Sequence, residues 1–377
     1  PVVHVDDASR AVGVAGALLD RSARDDFISG VRDDYAEARR IHEQRSSPTR
    51  RVSLEEARAG RMRLWADGQT MVPPRPSFLG VQTLAEYPIG ELVERIDWSP
   101  FFATWELSGR YPDILTDKAV GAAARDLFDD AQAMLRRVEE EGLLRADGVV
   151  GFWRAGSTED DDIVVWEDEG RTSDLAHIRT LRQQMARRDD RPNLALADFT
   201  APVDSGVADY IGGFAVTAGH GLAEATARFE AAHDDYSAIL LTALADRLAE
   251  AFAERLHEQV RRELWGYAAD ERLDNKSLIA ETYQGIRPAP GYPASPDHTE
   301  TTTIFRLLEA SERAGMELTE SMAMLPAASV SGLYFWRPEA RYFGVGKIDR
   351  DQLEDYAARK GWSLTEAERW LAPNLVS

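Results

Sequence analysis

The richest chemistry in this chain lies in Gln284-Gly285-Ile286-Arg287-Pro288-Ala289-Pro290-Gly291-Tyr292-Pro293. Three prolines in six residues fix φ and remove backbone donors, so neither a helix nor a central strand runs through this stretch. Gly291 lets the backbone bend sharply or approach a ligand closely. Arg287 and Tyr292 stand on the stiffened loop. A guanidinium on a rigid loop is suited to hold a carboxylate through two parallel hydrogen bonds. The competing explanation is a plain proline-rich connection with a solvated arginine.

Three more groupings carry candidate chemistry. Asp246, Glu250, Glu254 and His257 lie in a helical region, and Asp246, Glu250 and His257 follow i, i+4, i+11 spacing on one face. That face is either ordinarily solvated or a carboxylate stripe against a cationic ligand or the imidazole of another domain. A hydrolase built on Asp246 and Glu250 would need a raised carboxylate pKa in a cleft. Asp97 sits among Trp98, Phe101, Phe102 and Trp105. It either caps the next helix or pairs with an amino group or a sulfonium. Tyr334-Phe335 and Tyr342-Phe343 are expected on facing strands of a last hairpin, as sheet core or as an aromatic wall for a purine or a cation. Gly219-His220-Gly221 invites a dinucleotide-loop reading, but Glu224 falls where the third glycine belongs, so it reads as a strand-to-helix turn.

Composition narrows the classes. The chain has 377 residues and a formal net charge of −21. Residues 1–50 hold 8 Lys+Arg against 9 Asp+Glu, so nearly all the acidity follows residue 50. Phosphate binding needs a basic face, which argues against nucleic acid. There is no cysteine, so disulfides, thiolate zinc sites and a cysteine nucleophile are excluded on this stretch. The seven histidines show no metal-ligand spacing. No apolar run approaches a membrane span, and the start lacks the pattern of a secretory signal. The chain reads as a cytoplasmic piece of a longer polypeptide.

The elements that must position these residues mix helices with hairpins. Residues 1–5 read as a strand and 9–20 and 24–45 as helices, together a strand-helix-helix remnant of an α/β domain. Residues 46–52 read as a linker, and 53–377 as the main domain. Within it, 65–87 should be extended and irregular, 117–141 a long helix, and 148–153 with 162–166 an antiparallel hairpin. Residues 175–187 read as a helix and 208–217 as a strand. Residues 222–265 read as one long helix or two in tandem, and 299–310 as a helix. The expected last hairpin is 330–336 with 341–348, and two helices follow. The pattern argues for an α+β fold, a twisted, mostly antiparallel sheet flanked by long helices.

From about residue 50 to the end the chain resembles the C-terminal activation domain of cobalamin-dependent methionine synthase. The resemblance rests on Ile96-Asp97-Trp98 with Pro100-Phe101-Phe102, Ala208-Asp209-Tyr210-Ile211-Gly212, and His233-Asp234-Asp235-Tyr236. It continues through residues 245–254, the 284–294 loop, Leu318-Thr319-Glu320-Ser321, Ala328-Ser329-Val330-Ser331-Gly332 and residues 368–375. Residues 1–45 resemble the end of the preceding cobalamin-binding domain.

The resemblance implies a module that binds S-adenosylmethionine. With an electron from flavodoxin or another flavoprotein reductase, it returns oxidised cobalamin to methylcobalamin. The parent enzyme moves a methyl group from methyltetrahydrofolate to homocysteine. By the same resemblance Arg287 holds the ligand's carboxylate, and Asp97, Ala289, Gly291, Tyr292, Tyr342, Phe343 and Glu250 belong to the ligand site. Asp246 is implied to meet a histidine of the cobalamin domain. Cobalamin would be held by that missing domain, and zinc by the missing homocysteine domain. No catalytic residue is expected here, and the fragment alone should turn nothing over. The alternative is a docking module that recruits the reductase and caps the cobalamin domain. An acidic flavoprotein would need a local basic patch, for which Arg182, Arg187, Arg188 and Arg191 are the candidates.

Overall fold

Two long, nearly continuous apolar runs, 145–157 and 209–220, build the centre of the fold. In the computed structural model, which describes residues 14–15, 17–19, 24–45, 50–65, 71–186 and 191–376, they form neighbouring strands. The strand expected at 1–5, most of the helix at 9–20 and residues 46–49 of the linker lie outside the described residues.

Two compact units divide the chain, Pro1–Arg51 and Val52–Ser377. The first contains helix α1 (Arg24–Arg45). The second opens with α2 (Leu54–Ala59), capped by Ser53 and Glu56 in a reciprocal box. Then come β1 (Gly80–Leu84), α3 (Ile89–Val93), α4 (Trp98–Thr104), α5 (Gly121–Glu141) and β2 (Arg145–Ser157). β3 (Asp162–Trp166), β4 (Asp174–Arg179), β5 (Asp209–His220), α6 (Leu222–Ala231) and α7 (Asp235–Gln259) follow. The remainder is α8 (Asn275–Ile279), α9 (Glu300–Leu308), α10 (Ala310–Ala314), β6 (Ser329–Tyr334), α11 (Arg350–Lys360) and α12 (Leu364–Leu371).

The six strands form one antiparallel sheet in the order β4-β3-β2-β5-β6, with β1 also on β2. Its two faces bury separate cores. Val150, Phe152, Phe214 and Val216 pack with Leu127 and Met134 of α5 and Leu241 and Leu248 of α7. Val149, Trp153, Ile211 and Ala215 pack with Ile304 and Leu308 of α9. Each fully buried large apolar side chain contributes about 1.5–3 kcal/mol. A sheet covered on both sides shows no inside-outside alternation, which is why β2 and β5 read as nearly continuous apolar runs. A third, smaller cluster joins α11 and α12 to Leu181, Val345 and Ile348.

Residues 222–265 resolve into two helices rather than one. His233 takes φ +58°, and the Asp234 side chain accepts the Ser237 N–H to start α7. The helix expected at 175–187 is instead β4 followed by irregular chain. Ala176 and Ile178 are buried at a period of two, and the ladder Asp162↔Arg179 to Val165↔Ala176 satisfies the backbone. Within the extended, irregular stretch expected before Tyr87, Gly80–Leu84 pairs with β2 as strand β1.

The last hairpin does not form. The free edge of β6 is taken by the proline loop: Ile286 and Phe335 exchange both backbone hydrogen bonds at 3.0 Å, and Leu333 N–H donates to the Pro288 carbonyl at 2.9 Å. Residues 341–348 therefore carry no ladder and run over the loop, with Val345 N–H on the Pro293 carbonyl at 2.8 Å. Gly332 makes this possible, because a Cβ there would stand 2.8 Å from the Pro288 carbonyl oxygen.

Candidate functional site

Two backbone devices aim Arg287. Its neighbours Ile286 and Pro288 are fixed to β6, so the residue between them points away from the strand's bonded edge. Its own N–H donates to the Tyr342 hydroxyl at 3.0 Å, which ties the 341–348 segment to the loop. Beyond Arg287 the loop turns at Gly291, which takes φ +86° and donates to the Ser295 carbonyl at 2.7 Å. A Cβ on Gly291 would lie 2.2 Å from the His298 ring, so both the conformation and the close approach require glycine.

A cavity of about 570 Å³ opens here, lined by Glu250, Glu281, Arg287, Ala289, Tyr292, Tyr342 and Phe343 together with Phe214, Val330 and loop prolines. Six of the eight residues that sequence reasoning assigned to the ligand thus share one cavity. Tyr292 is 61 % exposed at its rim. Gly291 shapes the loop but is not a lining residue. Asp97 is not one either: it starts α4, its Oδ1 accepting the Ser99 N–H at 3.0 Å. Next to it, the Ile96 carbonyl accepts from Asn275 of α8 at 3.2 Å. The chain from α8 to Arg287 therefore runs from the neighbourhood of Asp97 to the cavity.

Behind the cavity the stripe on α7 grades from exposed to buried. Asp246 and Glu250 are exposed, whereas Glu254 and His257 are buried. The solvated-face reading thus fails for the second pair. Glu254 Oε2 lies 2.7 Å from Arg287 Nη2. Arg287 Nη1 donates to the Tyr283 hydroxyl at 2.8 Å and reaches His257 Nδ1 at 3.2 Å. Arginine has no acceptor, so His257 accepts at Nδ1 and carries its proton on Nε2, 3.3 Å from the Tyr267 hydroxyl. Burial, then Arg261 and Arg287, holds that imidazole well below its ordinary pKa. Burial also opposes the charge on Arg287, but Glu254 and the surrounding tyrosines raise its pKa on balance.

Glu281 and Tyr283 escaped the sequence reading. Burial raises the Glu281 pKa; Arg287 lowers it and Glu254 raises it further. The only available signal was adjacency to the proline loop. Asp246 is raised too, by partial burial against a smaller opposing effect of Arg247, but it does not line the cavity. Asp246 and Glu250 therefore do not form a hydrolytic pair within it.

Other expectations are settled away from the cavity. Tyr334 and Phe335 are buried, and Tyr334 stacks on Phe214 and His257 rather than facing Tyr342 across a hairpin. Arg182 cannot serve a partner-facing basic patch: it is 1 % exposed, clamped between Asp161 and Asp198. Arg187 and Arg188 lie outside the described residues, and Arg191 is exposed. Gly219 and His220 end β5, Gly221 takes φ +87° at the start of α6, and His220 bonds the Ala314 carbonyl at 2.8 Å, so 219–221 is a structural strand-to-helix junction. Among the described residues no group of acids and histidines is arranged to hold a metal ion, and no helix is long and apolar enough to cross a membrane.

Known proteins supply a frame for this geometry. Residues 88–361 match the family described as "Vitamin B12 dependent methionine synthase, activation domain". A solved structure described as the MetH reactivation domain bound to AdoHcy is 53 % identical. The match covers 87 % of this chain and 100 % of that one, with a TM-score of 0.84.

Proposed function

The chain belongs to the family of vitamin B12-dependent methionine synthase activation domains, and from that premise we propose that its cavity binds S-adenosylmethionine for the reductive methylation of cobalamin. The ligand carries a carboxylate, an ammonium, a sulfonium and an adenine. The cavity offers Arg287 for the carboxylate, Glu250 and Glu281 for the positive groups, and Tyr342, Phe343 and Tyr292 for a flat ring. Asp97 is assigned to the ligand on the family resemblance. The observation that carries the reading is this convergence of one buried-backed arginine, two acids and three aromatics on 570 Å³.

The ligand supplies a methyl group already activated by its positive sulfur. The protein's part is then to bind and orient it, and no general base is needed. The cobalamin would be held by the preceding domain, of which residues 1–45 are the proposed tail, with 53–377 as the activation domain. Asp246, exposed beyond the cavity on the face of α7 that carries Glu250, is the proposed contact for that domain's histidine. A flavoprotein reductase is the proposed electron donor, and the parent protein the proposed methyltransferase.

Titrating the chain with S-adenosylmethionine in a calorimeter tests the reading. Saturable binding at one site is expected. An absence of binding at millimolar ligand would leave the docking module, with its cavity unused, as the better account.

A further inference from the structure

Arg287 is held from behind by Glu254 and His257 of α7 and by Tyr283, which precedes the proline loop. His257 is itself enclosed: Arg287 at Nδ1, Tyr267 at Nε2, the Tyr283 ring edge-on at 4.9 Å and the Tyr334 ring stacked at 5.1 Å. Arg261 stands over the Tyr283 ring, 4.3 Å from its centroid, and is paired with Glu271.

The donor count of the guanidinium gives this enclosure a purpose. An arginine has five N–H donors. Glu254 forms an ion pair with Nη2 at 2.7 Å, and Tyr283 and His257 take both donors on Nη1. The Nε–H and the Nη2–H beside it share the edge left for a ligand. Without an acceptor at His257 Nδ1, an Nη1 donor would be left buried and unpaired, and the guanidinium would rotate to satisfy it at the expense of the ligand-facing donors.

We propose that His257 is a positioning residue: its unprotonated Nδ1 fixes the rotation of the Arg287 guanidinium so that the two remaining donors meet the carboxylate of an amino-acid-bearing ligand. This rests on the reading that Arg287 binds that carboxylate. A structural histidine would support the fold equally for any ligand. A positioning histidine acts only on ligands with a carboxylate.

The experiment titrates four chains with S-adenosylmethionine and with its decarboxylated analogue. The chains are the parent, His257→Leu, His257→Asn and Arg287→Ala. His257→Leu should weaken S-adenosylmethionine by about fivefold or more while changing the analogue by less than about twofold. His257→Asn, whose Oδ1 stands near the place of Nδ1, should restore most of the loss. Equal weakening of both ligands, or no weakening of either, in His257→Leu overturns the proposal. If His257→Leu does not fold, His257→Gln, which moves the acceptor away from the Nδ1 position, takes its place with the same expected selectivity. Arg287→Ala reports on the reading beneath: unchanged affinity for S-adenosylmethionine in that chain would overturn the arginine's assignment itself.

Discussion

The Tyr342 hydroxyl accepts the backbone N–H of Arg287 at 3.0 Å, across 55 residues of sequence. With the Val345 N–H on the Pro293 carbonyl, this contact lets residues 341–348 brace the proline loop from outside. Tyr342→Phe removes the acceptor while keeping the ring that lines the cavity. A net loss of about 1 kcal/mol, or roughly fivefold in affinity for S-adenosylmethionine, is expected. Isothermal titration of the variant against the parent measures it.

Gly291 is predicted to be intolerant of even one carbon. Its φ of +86° costs an L-residue about 1–2 kcal/mol, and a Cβ would also strike the His298 ring. Gly291→Ala should lower the thermal midpoint and the ligand affinity together. Adding His298→Ala should recover part of the loss and not all, because the ring is gone but the backbone conformation remains. Full recovery would show that the contact, not the conformation, sets the requirement.

Asp209 carries a pH dependence. Burial pushes its carboxyl up to about 6, despite hydrogen bonds from Trp336 Nε1 and from the Ala201 and Tyr210 N–H groups. The native state therefore holds this proton at pH values where the unfolded chain has released it. The associated stability is present below about pH 4 and is lost as pH rises through about 6. Urea midpoints measured from pH 4 to pH 8 should show this fall, and Asp209→Asn should flatten it. An equal slope in the variant would assign the dependence to other groups.

Arg182 is a structural ion, not a docking one. Removing it leaves Asp161 and Asp198 buried without their shared partner. Arg182→Ala should destabilise the fold by about 3–5 kcal/mol. Denaturant unfolding gives the number; a loss below about 1 kcal/mol would mean that water enters and solvates the pair.

Much of the site was legible before the fold was. The proline loop announced a rigid presentation of Arg287 because prolines and glycines act locally, within a few residues. The i, i+4, i+11 spacing placed Glu250 and His257 on one helical face for the same reason. Helix α5 and the hairpin of β2 and β3 followed from period alone. What the sequence could not reveal was long-range choice. Ala176 and Ile178 fit a helix or an edge strand, and only pairing with β3 decides. Residues 341–348 look like a strand, but the edge they would need is already occupied by Ile286 and Pro288. The burial of Arg182, Glu254 and His257 depends on partners far away in the chain, so charge composition misplaced them on the surface.

The most direct test of the account is a crystal structure of this chain with S-adenosylmethionine. The account predicts the ligand in the cavity between α7 and the proline loop, its carboxylate within hydrogen-bond distance of the Arg287 guanidinium and its adenine against Tyr342 or Phe343. A ligand bound elsewhere, or bound there with its carboxylate turned away from Arg287, would contradict it.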